Sequence, residues 1–459
     1  MAPIVNEYAR RGAEVDAIPD IGGRLTETAP MAARSSKRRE HHPIRGRFRG
    51  HGYFKRLGPG IITGAADDDP SGIGTYSQVG ASHGLALLWT APFLLPLAAA
   101  VQEATARLAL VTGEGLGTLV RNRFPRWILW LAVLLVASAN TLNLGADLAS
   151  MGASLHLLVP VPAALGVVVF AAVIVGLEVW IPYERYSKVL RWFALSLGAY
   201  VVTLAVVDVD WNEVLRNTFL PSLRHLDAAD MVALTAIAGT TISPYLFFWQ
   251  AAEEVEERNE HSDASVRVDR SHLVAMRVDV WAGMTSGVFA MFAIMTTAAV
   301  TLGAKGGMNI STAEQAASAL EPLAGSFAKV LFALGIIGLG LLAVPVLAGS
   351  TAYAVAEAFE WNEGLSKRLR QAPGFYGVII GSMVLGLVLD AIGIDPIRAL
   401  YYAAIFNGVT APPIILLILL LVRSRRLMGE RRAGWLSTTG ITVAGVVMTV
   451  FPVLALVLR

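Results

Sequence analysis

Three consecutive carboxylates, Asp67, Asp68 and Asp69, stand directly before Pro70 in the stretch Ala66-Asp67-Asp68-Asp69-Pro70-Ser71-Gly72. A second polar interruption, Thr240-Thr241-Ile242-Ser243-Pro244-Tyr245, sits in a similarly apolar run. Carboxylate, hydroxyl and freed backbone carbonyl oxygens suit hard cations such as Mg²⁺, Ca²⁺, Mn²⁺ and Na⁺. With no cysteine in 459 residues, disulfides, thiolate metal sites and thiol catalysis are excluded. A carboxylate at the centre of a bilayer costs about 3 kcal/mol on insertion scales. No Lys or Arg stands in the central part of any apolar run except Arg107, toward one end of the second. The simplest partner for Asp69 is therefore a transported cation.

The elements that must position these residues are membrane spans. The chain is 55% hydrophobic and 16% charged, against roughly 25% charged in a soluble protein. Eleven apolar segments emerge, at 57–83, 86–111, 126–150, 160–181, 187–207, 230–256, 275–302, 323–350, 375–394, 397–422 and 435–458. Each suffices to cross roughly 30 Å of hydrocarbon. Arginine and lysine gather in alternate connections: Arg121, Arg123 and Arg126; Arg185, Lys188 and Arg191; Lys367, Arg368 and Arg370; Arg423, Arg425, Arg426, Arg431 and Arg432. The intervening connections are poor in both. This pattern predicts a cytoplasmic N-terminus and an external C-terminus. Residues 1–56 lack an apolar run and are basic near their end, which predicts a disordered cytoplasmic tail. Attraction of that tail to anionic lipid or nucleic acid is the alternative. No signal peptide is visible.

Both interruptions fall about a dozen residues into their spans, the first and the sixth. Pro70 and Pro244 each remove a backbone donor and disfavour helix in the residue before. Unwound backbone at that depth is tolerated where it lines a cavity or is buried in protein. Broken helices at corresponding positions of two repeats point to a midplane binding site. The expected plan is two inverted five-helix repeats, 57–207 and 230–422, with 435–458 as an additional helix.

Three blocks carry a resemblance: "GPGIITGAADDDPSG", "ARLALVTGEGLG" and "AIAGTTISPYLFFWQ". Together they resemble landmarks of the natural-resistance-associated macrophage protein (NRAMP) family of divalent-metal transporters. The resemblance implies an all-α, LeuT-like fold of eleven helices and no enzymatic activity. In the family the first motif reads Asp-Pro-Gly-Asn and the second Met-Pro-His; here they are Asp69-Pro70-Ser71-Gly72 and Ser243-Pro244-Tyr245. Carried over, the ligands are Asp69, the carbonyls of Ala66 and Thr240, and Ser243 in place of the Met sulfur, while Gly72 has lost the Asn side chain. A thioether favours softer metals. Its loss, with the lost amide, leaves a larger oxygen-only site for an ion that keeps water, as Mg²⁺ does. NRAMP-related magnesium transporters likewise lack the Met, so Mg²⁺ is favoured, with Mn²⁺ beside it. Asp67 and Asp68 widen the negative field, bind a second cation or face a water-filled vestibule.

The resemblance also implies a proton route through a third-span Asp and Glu and the sixth-span His. Asp147 matches the Asp, but Ser150 and Tyr245 replace the other two, which predicts weak or absent proton coupling. Asn140, Asn143 and Asp147 share one helix face; they line the pathway or bond between helices. Thr240, Thr241 and Ser243 offer oxygens to the ion or bond back to the chain, and Asn407 in the tenth span is a candidate cover. Glu103 and Arg107, four apart, read as an ion pair or gate latch.

No phosphate-cradling or dinucleotide motif appears, and His83 and His156 stand alone in the sequence. The prediction is a multi-pass inner (plasma) membrane transporter of divalent cations, without resident cofactor or nucleic-acid partner; the sequence does not fix its oligomeric state, and the monomer is the favoured one. The alternatives are a sodium-coupled amino-acid or organic-solute symporter of the same fold and a proton-coupled transition-metal transporter.

Overall fold

Helix follows helix along the chain, and every regular element among the described residues is helical. The computed structural model describes Gly64 and residues 69–181, 191–220, 226–261, 270–305 and 309–458. The predicted tail and Ala66, Asp67 and Asp68 lie outside them. The principal helices are α1 (Pro70–His83), α2 (Thr90–Thr112), α3 (Leu116–Arg123), α4 (Arg126–Leu158), α5 (Ala163–Trp180), α6 (Gly198–Val206), α7 (Trp211–Phe219), α8 (Ala228–Thr241), α9 (Pro244–His261), α10 (Arg270–Thr301), α11 (Ala328–Phe359), α12 (Pro373–Asp390), α13 (Pro396–Arg423) and α14 (Trp435–Val457).

Local chemistry sets the ends. Asp69 caps α1, with Pro70 in the first turn. Asp227 and Asp230 form a reciprocal capping box at α8. Gly113, with φ 73°, closes α2 in the left-handed conformation. Helices α4, α10 and α11 run beyond the expected spans. The apolar run marks only what hydrocarbon must cover, and polar turns continue past it.

Among the described residues nine helical segments are long and apolar enough to cross a membrane, with α8 and α9 joined as one interrupted span. They match nine of the eleven expected spans. The first and fifth reach the described residues only in part, as α1 and as a 3-10 stretch, Arg191–Leu197, running into α6.

Helix α1 packs against α8, α10 and α13, while α4 packs against α11 and α13. The interrupted span is the most enclosed, with 94% of its apolar window buried against 22% for α14. Both breaks are thus central, and α14 is peripheral. At Gly239 a Cβ would lie 2.1 Å from the Ala404 carbonyl oxygen and 2.4 Å from the Gly408 nitrogen, so only glycine permits this crossing of α8 and α13. Asn140 donates to the Thr351 hydroxyl (3.0 Å) and the Leu347 carbonyl (3.3 Å), tying α4 to α11. Asn140 is therefore an interhelical contact.

Candidate cation site

The Asp-Pro sequence builds the first half of the site. Asp69 is extended, at φ −68° and ψ 170°, and ends the interruption as Pro70 opens α1. Its Oδ1 accepts from the Gly72 amide (2.8 Å) and the Ser71 hydroxyl (2.6 Å). Its Oδ2 accepts from Asn143 Nδ2 of α4 (2.9 Å) and the Tyr245 hydroxyl of α9 (3.2 Å). All four donors are neutral. They orient the carboxylate without cancelling its charge.

The second half is the gap between α8 and α9. Ile242 closes α8 by donating to the Ala238 carbonyl (2.8 Å). The Ser243 hydroxyl turns back to donate to the carbonyls of Gly239 (2.7 Å) and Thr240 (2.9 Å). Thr241 donates to the Ile237 carbonyl (2.8 Å), and its hydroxyl meets that of Tyr76 at 3.0 Å. The Thr240 and Ser71 hydroxyls lie 3.2 Å apart and join the two breaks. The Ser350 hydroxyl donates to the Tyr245 carbonyl at 2.7 Å and holds the start of α9 against α11.

Asp69, Gly72, Asn143, Thr240, Ser243 and Tyr245 thus form one buried cluster, and Thr241, next in the chain to Thr240, meets Tyr76 of α1. Asp147 lies beside Asp69 and the Ser71 backbone. Neither Asp147 oxygen has a hydrogen-bond partner among the described residues. Asn407 is fully buried on α13, next to Gly408, and its amide atoms are likewise without partners. It contacts none of the cluster's polar atoms through a hydrogen bond. Ser150 donates to the Asp147 carbonyl at 2.8 Å.

Ser71 was not foreseen as the bridge between the breaks; its signal is a hydroxyl one residue after the Asp-Pro pair. The Met291 sulfur of α10 lies 3.8 Å from the Thr241 hydroxyl, a thioether near the site that no motif flags. The Glu103–Arg107 pair (2.7 Å) also has a third member: Arg277 of α10 donates to both Glu103 oxygens (2.9 and 3.0 Å). Its sequence signal is a lone arginine entering the seventh span. His83 is not isolated: its Nε2 lies 3.6 Å from Asp230 of α8. Among the described residues, no three His, Cys, Asp or Glu side chains converge as a metal cluster. Among the described residues, a cation here would find one or two carboxylates together with neutral oxygens.

The divalent metal cation transporter MntH of Caldanaerobacter subterraneus subsp. tengcongensis is 28% identical over 394 residues, covering 82% of this chain and 87% of its own. The manganese transporter of Eremococcus coleocola has a similar solved structure, with a TM-score of 0.68 and 19% identity, over 88% of this chain and 87% of that one. MhsT in complex with L-phenylalanine is similar at a TM-score of 0.60 and 13% identity, over 86% and 98% of the two chains. These likenesses place the chain in the LeuT-like fold, as expected from its broken first and sixth spans. The family model for natural resistance-associated macrophage protein-like sequences matches residues 60–458. The chain belongs to this Nramp family, whose members are membrane transporters and not enzymes.

Proposed function

We propose that this protein carries divalent cations, Mg²⁺ or Mn²⁺, across the bacterial plasma membrane by alternating access, with its N-terminus in the cytoplasm. The observation that carries the reading is Asp69: an enclosed carboxylate at a helix break, met by neutral donors alone among the described residues. A dipositive ion supplies the missing charge. In this reading Asp69 is the charged ligand, with the Thr240 and Ala66 carbonyls and the Ser243 hydroxyl as neutral oxygens, and Gly72 leaves room for retained water. Asp67, Asp68 and Asn407 belong to the pathway. The repeats 57–207 and 230–422 rock around this point, with 435–458 outside the moving pair.

Ser243 and Tyr245 support two finer readings. Ser243 offers no soft donor and directs its proton at backbone carbonyls, which favours hard ions. Tyr245 donates to Asp69 without an imidazole's readiness to titrate near neutrality, which favours weak or absent proton coupling. Uptake of Mn²⁺, Mg²⁺ and Ca²⁺ into proteoliposomes, with a pH dye in the lumen, tests both. We expect uptake of Mg²⁺ or Mn²⁺, lost by at least 100-fold in Asp69→Ala, with little lumenal acidification. Uptake of amino acids without metal flux would overturn the reading, and metal-driven acidification would overturn the uncoupled mechanism.

A further inference from the structure

We propose that Asp147, together with the Asn143 side-chain oxygen, holds the cation alongside Asp69 as a second charged ligand. This rests on the divalent-cation reading above and concerns which residues take the ion.

Asp147 lies in the second half of α4 and is 0% exposed. Neither carboxylate oxygen has a hydrogen-bond partner among the described residues. The Ser71 amide is nearby but does not meet hydrogen-bond geometry. A buried carboxylate without partners is unstable unless a counter-charge or hydrogen bonds offset its desolvation. No Lys, Arg or His side chain contacts Asp147 or Asp69 among the described residues. The positive N-terminal end of α1 is shared by both acids and offsets roughly half a charge, against two negative charges.

Asn143 supplies the rest. It precedes Asp147 by four residues, so the two side chains are neighbours on one helix face. Its nitrogen is committed to Asp69 Oδ2, because a carboxylate can only accept from it. Its oxygen has no partner among the described residues. Asp69 already accepts two hydrogen bonds at each oxygen, so an ion bound to it takes the place of one of these neutral donors. Three hard oxygens without hydrogen bonds therefore lie next to it: two from Asp147 and one from Asn143. Two carboxylates match the charge of a divalent ion, and an oxygen set suits Mg²⁺ or Mn²⁺. Asp69 then binds the ion through the oxygen direction it frees, while Asp147 and Asn143 add lone pairs that no hydrogen bond among the described residues occupies.

Equilibrium Mn²⁺ binding to the purified full-length chain at fixed pH tests this, with the unfolding midpoint measured alongside. Asp147→Asn keeps the shape and removes the charge; we expect at least 10-fold weaker Mn²⁺ binding with an unfolding midpoint at or above that of the wild type. Asp147→Glu, which keeps the charge, should bind within a few-fold of the wild type. Asp147→Ser serves the same purpose if the asparagine variant does not fold. Wild-type affinity in a folded Asp147→Asn or Asp147→Ser variant would overturn the assignment and leave Asp147 as a neutral core group. If Asp69→Asn loses binding while the folded Asp147 variants keep wild-type affinity, this inference fails and the cation reading stands. If the wild type binds no divalent ion, both fail.

Discussion

Glu103 and Asp69 are both buried carboxylates on neighbouring elements, yet their surroundings answer their charge in opposite ways. Glu103 is met by two guanidinium groups, Arg107 at 2.7 Å and Arg277 at 2.9 Å. Arg107 also donates to the Arg431 carbonyl at 3.3 Å, so the network reaches the connection before α14. Asp69 is met by a hydroxyl, an amide, a backbone N–H and a phenol. A carboxylate neutralised by arginine belongs to the frame, because its counter-charge is covalently attached. A carboxylate held by neutral donors keeps its charge for a ligand that can leave.

Removing one member of each network should therefore have different consequences. Glu103→Ala leaves Arg107 buried without its partner and should destabilise the protein by on the order of 3 kcal/mol. The loss is smaller than for a wholly enclosed network, because Arg277 is half exposed. Denaturant or thermal unfolding reads this, and Mn²⁺ affinity in the folded fraction should stay within a few-fold of the wild type.

A smaller effect is expected from Tyr245→His, which converts a neutral donor to Asp69 into a titratable one. Below roughly pH 6.5 an imidazolium competes with the cation for Asp69. Metal uptake by the variant should fall as pH drops through that range, while wild-type uptake stays flat. A pH-independent variant would show that residue 245 does not sense the charge of the site.

Glu363 gives the smallest expected change and a third type of surroundings. It stands in the connection after α11, and burial, then the nearby Glu357, push its carboxyl up to about 9. The raised value means the folded protein retains a proton that the unfolded chain releases near 4.3. The associated stability is present below that range and is lost as pH climbs toward 9. Glu363→Gln should flatten the decline of the unfolding midpoint between about pH 5 and pH 9, without changing metal uptake.

The broken spans were legible because proline, glycine and carboxylates are conspicuous in apolar runs. Asp69 and Ser243 fall at the two breaks for that reason. What Ser243 does was not legible: a hydroxyl beside unwound backbone can face an ion or bond back, and the donors' final geometry decides. The same holds for Asn140, Asn143 and Asp147, which share a helix face. Asn140 bonds to α11, Asn143 to Asp69, and Asp147 to neither. Helical periodicity places all three on one side but cannot say which neighbouring helix each meets. Arg277 and Ser71 depend on contacts between residues far apart in the chain, to which local pattern is blind.

The most direct measurement is Mn²⁺ affinity of wild type, Asp69→Asn and Glu103→Gln, measured in parallel on folded protein. Both substitutions remove one buried negative charge with little change of shape. The prediction is a loss of at least 100-fold for Asp69→Asn and less than 3-fold for Glu103→Gln. Equal affinities for Asp69→Asn and wild type, or an equal loss in both variants, would contradict the distinction between a carboxylate held for the frame and one held for the cation.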